Sequence, residues 1–170
     1  MENSYADNDE KNKLNPGVHI QQEALGIFIR DGKLALMLNK RDKYYQFIGG
    51  ISKVKSGDLK DSLVAKFKDE VNLTAIPDSI KKYSQVSRVE KQANNDIQIR
   101  EYHFLFVDCK EKNLDVIISK DSEFEFRLID PKSALKANIE YLSSLKNKKK
   151  LIDVETGIIQ KLIDEDSYFA

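Results

Sequence analysis

The chain has 170 residues, 41% of them hydrophobic, and its 28 basic residues balance 28 acidic residues. This composition predicts one domain with a hydrophobic core, and the balanced charge gives no strong signal for a nucleic acid or an acidic lipid surface as a partner. The single cysteine, Cys109, excludes an internal disulfide framework and indicates a cytoplasmic location, where we expect it to be a buried apolar side chain.

The first seventeen residues are polar and contain no apolar stretch of the kind that a secretory leader needs. We therefore expect a flexible arm over residues 1–19 and a single domain over residues 20–166. No uninterrupted apolar run approaches the roughly 20 residues of a membrane-spanning helix, so no membrane association is expected.

The first predicted elements are two strands, at about residues 22–30 and 33–38, where apolar residues dominate. The pair Asp31-Gly32 between them is typical of a tight hairpin turn. Residues 41–45 then form a predicted loop. This order indicates a sheet that begins with a hairpin.

A pair of glycines and a helix follow in the centre of the chain. Gly49-Gly50 predicts a backbone turn that a ligand can approach closely, because glycine has no side chain. A polar stretch then leads into a helix predicted from about Leu59 to Val71. We expect the helix to end at Asn72, because asparagine tolerates the left-handed conformation at a helix terminus.

The second half of the chain predicts a long hairpin followed by a strand and two helices. The bend of the hairpin is expected at Asn94-Asn95. The basic run at residues 146–150 has no interleaved aromatic residues, so we interpret it as a solvated linker. The predicted elements are strands at residues 83–90, 97–107 and 124–131, and helices at residues 133–145 and 151–163.

The segment from Gly50 to Leu73 resembles the Nudix box in a degenerate form. That box reads Gly-x5-Glu-x7-Arg-Glu-apolar-x-Glu-Glu-x-Gly-apolar, and residues 65–73 of this chain read AKFKDEVNL. Asp69 and Glu70 keep the last two acidic positions of the pattern. The Arg and the first helical Glu are replaced by Ala65 and Lys66.

The resemblance implies both a fold and a chemistry. The fold is α+β, a Nudix-like α/β/α sandwich in which a mixed, mainly antiparallel sheet lies between helices. The activity is hydrolysis of a nucleoside diphosphate linked to another moiety, with Mg²⁺ or Mn²⁺ as the cofactor and a small-molecule nucleotide as the ligand. Many Nudix proteins are homodimers, so a homodimer is an expectation, although no sequence feature defines its interface.

Three helical positions carry this chemistry. Residues 66, 69 and 70 are spaced i, i+3 and i+4, which places their side chains on one face of the helix. The resemblance makes Asp69 and Glu70 the metal ligands and the catalytic residues. Lys66 puts an ammonium where the pattern has an oxygen ligand, and at about 5 Å it repels a divalent cation by roughly 1 to 7 kcal/mol. It can instead pair with Glu70 or contact a diphosphate directly.

Other candidates surround these three positions. Tyr45 and Phe47 either stack on a nucleobase or complete the core, and the sequence leaves both alternatives open. The sequence also leaves open which of four further acids join the site. Two of them, Asp58 and Asp61, lie near the helix start, where helix capping and the helix dipole already explain them. These acids are Asp58, Asp61, Glu123 and Glu125. The substrate-binding candidates are Gly49, Gly50, Lys66, Arg41, Tyr45 and Phe47.

Two functions of different class follow from this pattern. In the first, the chain is a divalent-metal-dependent pyrophosphohydrolase with an impaired box. In the second, it is a catalytically inactive Nudix-fold module that binds a nucleotide or a protein. The Lys66 ammonium favours the second function, whereas the resemblance to hydrolases favours the first, so the sequence leaves enzymatic activity open.

Overall fold

The structure, a computed structural model, describes residues 17–52, 58–114, 123–145, 153–165 and 167–169. The predicted arm lies outside these residues up to residue 16, and the predicted basic linker lies outside them entirely. None of the described helices is long and apolar enough to cross a membrane.

Strands outnumber helices in the described part of the chain. The strands are β1 (Val18–Ile27), β2 (Ile29–Arg30), β3 (Lys33–Asn39), β4 (Tyr44–Gln46), β5 (Ile48–Ile51), β6 (Lys81–Lys91), β7 (Ile97–Phe106) and β8 (Phe124–Ile129). The helices are α1 (Leu59–Val71), α2 (Pro131–Ser144) and α3 (Val154–Glu165), with a 3₁₀ helix at Pro77–Ser79.

The strands form two groups, and the chain passes from one group to the other between β4 and β5. One group has the order β5-β1-β7-β6, and in the other β3 pairs with β2, β4 and β8. Strand β1 runs parallel to β7, while the other pairs between described strands are antiparallel. The prediction of a mixed, mainly antiparallel sheet is therefore confirmed.

The sheet has a separate hydrophobic cluster on each face. Because side chains alternate along a strand, neighbouring residues of β1 belong to different clusters. Ala24 contacts the α1 cluster, which contains Leu63 and Phe67 of α1. Leu25 contacts the α3 cluster, which contains Ile159 and Leu162 of α3. The sheet thus lies between α1 on one side and α2 with α3 on the other, as the α/β/α prediction requires.

Helix α1 begins and ends where its sequence predicts. The Asp58 side chain accepts a hydrogen bond from the Lys60 amide at 2.9 Å and caps the first turn. Asn72 adopts the left-handed conformation, with φ 54° and ψ 35°. Its amide donates to the Lys68 carbonyl at 3.2 Å, and the amide of the fully buried Leu73 donates to the Phe67 carbonyl at 3.1 Å. Both ends of the helix are therefore fixed by local hydrogen bonds.

The turns predicted at Asp31-Gly32 and Asn94-Asn95 are also confirmed. Asp31 and Gly32 have φ angles of 53° and 72° and connect the antiparallel strands β2 and β3. Asn95, with a φ of 69°, lies in the bend between β6 and β7. In each turn the residue that takes positive φ is a type that tolerates it, which explains why the sequence signal was reliable.

Some predicted boundaries are wrong. The strand predicted over residues 22–30 is interrupted at the fully buried Phe28, because the chain there leaves its pairing with β7 and begins its pairing with β3. Strand β7 ends at Phe106, one residue before its predicted end, and Cys109 beyond it forms an isolated bridge with Ala75. Cys109 is buried, as predicted, and burial raises the pKa of its thiol.

Candidate functional site

The two glycines before α1 lie inside a strand and not in a turn. Gly49 pairs with Leu25 and Gly50 with Ala24 in the antiparallel ladder between β5 and β1. Their φ angles are 139° and 153°, a conformation that other residues rarely adopt. A Cβ atom on Gly49 would lie 2.1 Å from the Ala24 carbonyl oxygen. The expected turn is thus a close backbone contact that only glycine permits.

Lys66 and Glu70 of α1 lie directly over these glycines. Lys66 Nζ is 4.0 Å from Glu70 Oε1, which confirms the predicted i, i+4 pair. The same nitrogen would be 3.8 Å from a Cβ atom on Gly50, and the Gly49 amide donates a hydrogen bond to the Glu70 carboxylate. The structure therefore brings four of the predicted site residues together.

The Glu70 carboxyl is subject to opposing effects. Burial raises its pKa, while the positive charge of Lys66 and the hydrogen bond from Gly49 lower it; the nearby charge of Asp69 raises it further. The net direction of the pKa shift is upward. Glu70 is thus half-buried, and the Lys66 ammonium and the Gly49 amide favour its charged form while burial opposes it.

The described residues around α1 do not fit a divalent-cation site. Asp69 is exposed, and Lys66 contributes an ammonium to the face that would hold the ion. Within the part of the chain that the structure describes, no group of three or more His, Cys, Asp or Glu side chains is placed to hold a metal ion. Mg²⁺ requires several oxygen ligands, and these residues do not supply them.

The other acidic candidates lie in several places. Asp58 caps α1, and Asp61 is exposed in the first turn of that helix. Glu125 of β8 forms an ion pair with Arg127 at 3.2 Å. Glu123 precedes β8 and lines a depression of about 250 Å³ together with Asn39, Lys40 and Arg41.

Arg41 and Glu123 are thus neighbours in the structure. Arg41 is largely exposed and bonds Asp42 through its Nε at 3.1 Å. The charge of Glu123 acts on the same guanidinium, and the Lys40 amide donates to the Glu123 carbonyl at 3.0 Å. This depression is a second place where an anion can meet a basic side chain.

The two aromatic candidates belong to the opposite face of the sheet. Phe47 is only 3% exposed and packs edge to face against Phe104, with the ring centroids 5.4 Å apart. The Tyr45 amide donates to Asn138 Oδ1 at 2.7 Å, and its ring is half-buried beside the α3 cluster. Of the two alternatives for Phe47, the core role is the one that the structure shows, since no ring face is accessible for base stacking.

Glu155 is a candidate that the sequence did not reveal. Its Oε1 accepts a hydrogen bond from the Phe47 amide at 3.0 Å. Burial, together with the charges of Asp153 and Glu23, raises the pKa of this carboxyl to about 8, although the hydrogen bond from Phe47 lowers it. In the sequence, Glu155 is an ordinary acidic residue in the first turn of a helix, and nothing local distinguishes it from a residue that favours the helix dipole.

Glu23 of β1 and Arg100 of β7 form a polar group with Glu155 on this face of the sheet. Burial raises the pKa of Glu23, and the charge of Arg100 partly offsets the shift. The Arg100 guanidinium bonds the Tyr102 side chain, yet among the described residues its Nε–H is a buried donor without a partner. Buried donors are normally satisfied, so this Nε–H is an exception among the described residues.

Comparisons with solved structures agree with this architecture. The ORF135 protein of E. coli superposes with a TM-score of 0.57 and 15% identity over 88% of this chain and 93% of that chain. The MutT Nudix hydrolase of Burkholderia pseudomallei gives a TM-score of 0.50 and 9% identity over 67% of this chain and 85% of that chain. The chain has the Nudix fold.

A third structure with this fold contains ligands. It is a bifunctional NMN adenylyltransferase/ADP-ribose pyrophosphatase from Francisella tularensis, complexed with AMP and a manganese ion. Its TM-score is 0.52 at 13% identity, over 96% of this chain and 47% of that chain. No family model and no curated protein matches the sequence. At these identities the likeness establishes the Nudix fold and leaves the chemistry to the residues themselves.

Within the Nudix fold, this chain keeps the backbone framework of the box better than it keeps the side chains that would bind a metal. The glycines and the helix end have the geometry that their residue types favour. The metal-binding positions, by contrast, contain an ammonium, an exposed Asp69 and a half-buried Glu70 that pairs with that ammonium. The described site therefore has one positive charge, the Lys66 ammonium, beside β5.

Proposed function

We propose that this Nudix-fold chain binds a nucleotide that carries a diphosphate group, and that its degenerate box does not support efficient metal-dependent hydrolysis. The observation that carries the proposal is the Lys66–Glu70 pair, 4.0 Å apart, over Gly49-Gly50. A carboxylate that neutralises a neighbouring ammonium is a poor ligand for a divalent cation, whereas the ammonium is a good partner for phosphate.

The phosphate end of the site is formed by β5 and α1. Gly50 leaves its backbone open to close approach, because it has no side chain and only Lys66 lies within 4 Å of the position that a Cβ atom would take. Lys66 is 27% exposed, so its ammonium is accessible beside Gly50. These groups supply a charge and an open backbone at the same point, which suits a phosphate group.

The base end of the site is proposed to be the polar group on the opposite face of the sheet, which the nucleotide would reach by passing around the edge strand β5. With a pKa of about 8, the Glu155 carboxyl is mostly protonated at neutral pH and can both donate and accept a hydrogen bond. The unpartnered Nε–H of Arg100 supplies another donor. The Nudix-fold structure from F. tularensis was solved with AMP, which supports a nucleotide as the ligand class.

Hydrolysis remains the second candidate function, because Asp69 and Glu70 keep two acidic positions of the box. The Gly49 amide fixes the Glu70 carboxylate next to the strand where the pattern places a metal-bound phosphate. The manganese ion in the F. tularensis structure supports divalent metal chemistry in this fold. This candidate requires an oxygen ligand besides Asp69 and Glu70, because the described residues do not complete a divalent-cation site.

The test is a turnover and binding assay on the whole chain. Nucleoside triphosphates, dinucleoside polyphosphates, ADP-ribose, NADH and nucleotide sugars are incubated with Mg²⁺ or Mn²⁺, and binding of the same compounds is measured by calorimetry. We expect at least one nucleotide to bind with little turnover. Turnover that disappears in Glu70→Gln would establish the hydrolase instead, and failure to bind any compound would overturn both candidates.

A further inference from the structure

The α1 face already contains a cation at the place where the Nudix pattern puts metal ligands. From this arrangement we infer that Lys66 replaces the divalent metal, so that the site binds a metal-free diphosphate ester and Mg²⁺ weakens the binding. The inference rests on the proposed function, because it assumes that a nucleotide diphosphate is the ligand. It goes further by naming the ionic form of that ligand.

The Lys66–Glu70 contact is loose enough to leave the ammonium available. At 4.0 Å, the distance from Nζ to Oε1 is longer than the roughly 2.7 to 2.9 Å of a charge-assisted hydrogen bond. An ammonium has three donors, and Glu70 accounts for at most one of them. A phosphate oxygen therefore finds donors on Lys66 without displacing a strong ion pair.

The glycines beside Lys66 provide room for the anion. Lys66 Nζ lies 3.8 Å from the position of a Cβ atom on Gly50, and its Cε lies 4.0 Å from the same position. Because Gly50 has no side chain, the space between the strand and the ammonium is open on the side of the backbone. A phosphate oxygen that enters this space is within reach of the Lys66 ammonium, with the Glu70 carboxylate beside it.

A divalent cation would compete with Lys66 for the same ligand. Mg²⁺ bound to the diphosphate neutralises the charge that attracts Lys66, and the ion itself is repelled by the ammonium at short distance. The exposed Asp69 and the paired Glu70 do not offset this repulsion with a third oxygen ligand among the described residues. The metal complex of the nucleotide is therefore the weaker ligand for this site.

The first part of the experiment measures how ADP and inorganic pyrophosphate bind to the full chain, in EDTA and in excess Mg²⁺, by calorimetry. We expect binding in EDTA and roughly tenfold weaker binding in Mg²⁺, from the loss of a hydrogen bond to a charged group. Binding that requires Mg²⁺, or that Mg²⁺ strengthens, would overturn the inference and leave the proposed function standing. No binding under either condition would overturn the proposed function itself.

The second part uses variants of Lys66. Lys66→Glu restores the acid of the box, so we expect it to lose binding in EDTA and to gain binding that depends on Mg²⁺. Lys66→Arg keeps the charge and should keep binding in EDTA, and Lys66→Met should weaken it without creating a metal response. If Lys66→Glu and Lys66→Met bind as the unmodified chain does in both conditions, Lys66 is only a surface ion pair and the inference is wrong.

A matched control is available on the same helix. Lys60 is exposed on a different flank of α1, and Lys60→Glu makes the same change in net charge as Lys66→Glu. This control should bind like the unmodified chain in EDTA and in Mg²⁺. Thermal melting of each variant shows whether it is folded, so that loss of binding is not confused with loss of structure.

Discussion

The two faces of the sheet differ in what they keep of a nucleotide site. On the α1 face, Gly49, Gly50 and Asn72 adopt backbone conformations that their residue types favour, while Lys66 and Glu70 form a pair. On the opposite face, Glu155 and Arg100 are polar side chains kept in partly buried positions beside a hydrophobic cluster. The α1 face keeps the backbone framework of the box without the side chains that would bind a metal. The opposite face contains polar side chains that the fold does not evidently require.

This difference between the two faces allows effects on stability to be separated from effects on binding. The α1 framework is explained by folding alone, because close strand contact and helix ends require those residue types. Burial, by contrast, raises the pKa of both Glu155 and Glu23, and the charge of Glu23 adds to the shift at Glu155. Such an arrangement costs folding free energy, and groups with shifted pKa values are often found at functional sites. Substitutions on each face therefore test different properties.

The largest effect is expected for Gly49→Ala on the α1 face. The new methyl group would lie 2.1 Å from the Ala24 carbonyl oxygen, at a φ of 139° that alanine rarely adopts. We expect the free energy of unfolding to fall by about 4 kcal/mol, from overpacking and backbone strain together. Urea denaturation measures this change.

Gly50→Ala is the matched control for that substitution. The nearest atoms to its new methyl group would be Lys66 Nζ at 3.8 Å and Cε at 4.0 Å, which are ordinary contacts. Only the strain of the φ angle remains, so the loss should be clearly smaller. Equal losses at the two positions would mean that close contact with β1 is not what makes Gly49 necessary.

The next effect concerns Glu155 on the other face. The pKa of Glu155 rises from 4.5 in the unfolded chain to about 8 in the folded chain. The protonated carboxyl therefore makes its full contribution to stability below pH 4.5, and this contribution is lost as the pH rises through 8. After allowance for solvent at this partly exposed group, we expect the free energy of unfolding to fall by about 2 kcal/mol across that range. Glu155→Gln should remove most of this slope.

The measurement is urea denaturation at several pH values between 5 and 8. Glu140→Gln, on the exposed surface of α2, makes the same chemical change away from the α3 cluster and should leave the slope as it is. Glu23 and Glu70, whose pKa values burial also raises, account for the slope that remains in Glu155→Gln. A slope that is unchanged in Glu155→Gln would show that this carboxyl ionises normally in the folded chain.

Local signals explain what the sequence predicts well. Helix α1 has the predicted bounds, because Asp58 and Asn72 fix its ends through contacts within a few residues. The turn at Asp31-Gly32 is equally local. The fold class also follows from such local elements once their order is compared with the box pattern.

Contacts between distant segments explain what the sequence does not predict. The bond from the Phe47 amide to Glu155 joins residues 108 positions apart, and no local pattern records it. The break at Phe28 likewise depends on which strands pair on either side of it. The single-domain bounds, the cytoplasmic location and the homodimer stay predictions.

A smaller effect is expected at the end of α1. Asn72 has a φ of 54°, so Asn72→Ala places a Cβ atom in a left-handed conformation that costs about 1 kcal/mol. Asn72→Gly removes that cost and should be as stable as the unmodified chain or slightly more so. Thermal unfolding of the two variants checks the order, and a less stable glycine variant would indicate that the Asn72 side chain has a role beyond its backbone conformation.

The smallest effect on stability is expected for Lys66→Met. This variant tests whether Lys66 is needed for the fold or only for binding. The Lys66–Glu70 pair is partly exposed and 4.0 Å long, so its loss should change the free energy of unfolding by only about 0.3 to 0.5 kcal/mol. Methionine keeps the unbranched stem that packs beside Gly50. A much larger loss, measured by urea denaturation at low and high salt, would mean that Lys66 is needed to neutralise a buried Glu70. Its position over the glycines would then be explained by folding alone, without any ligand.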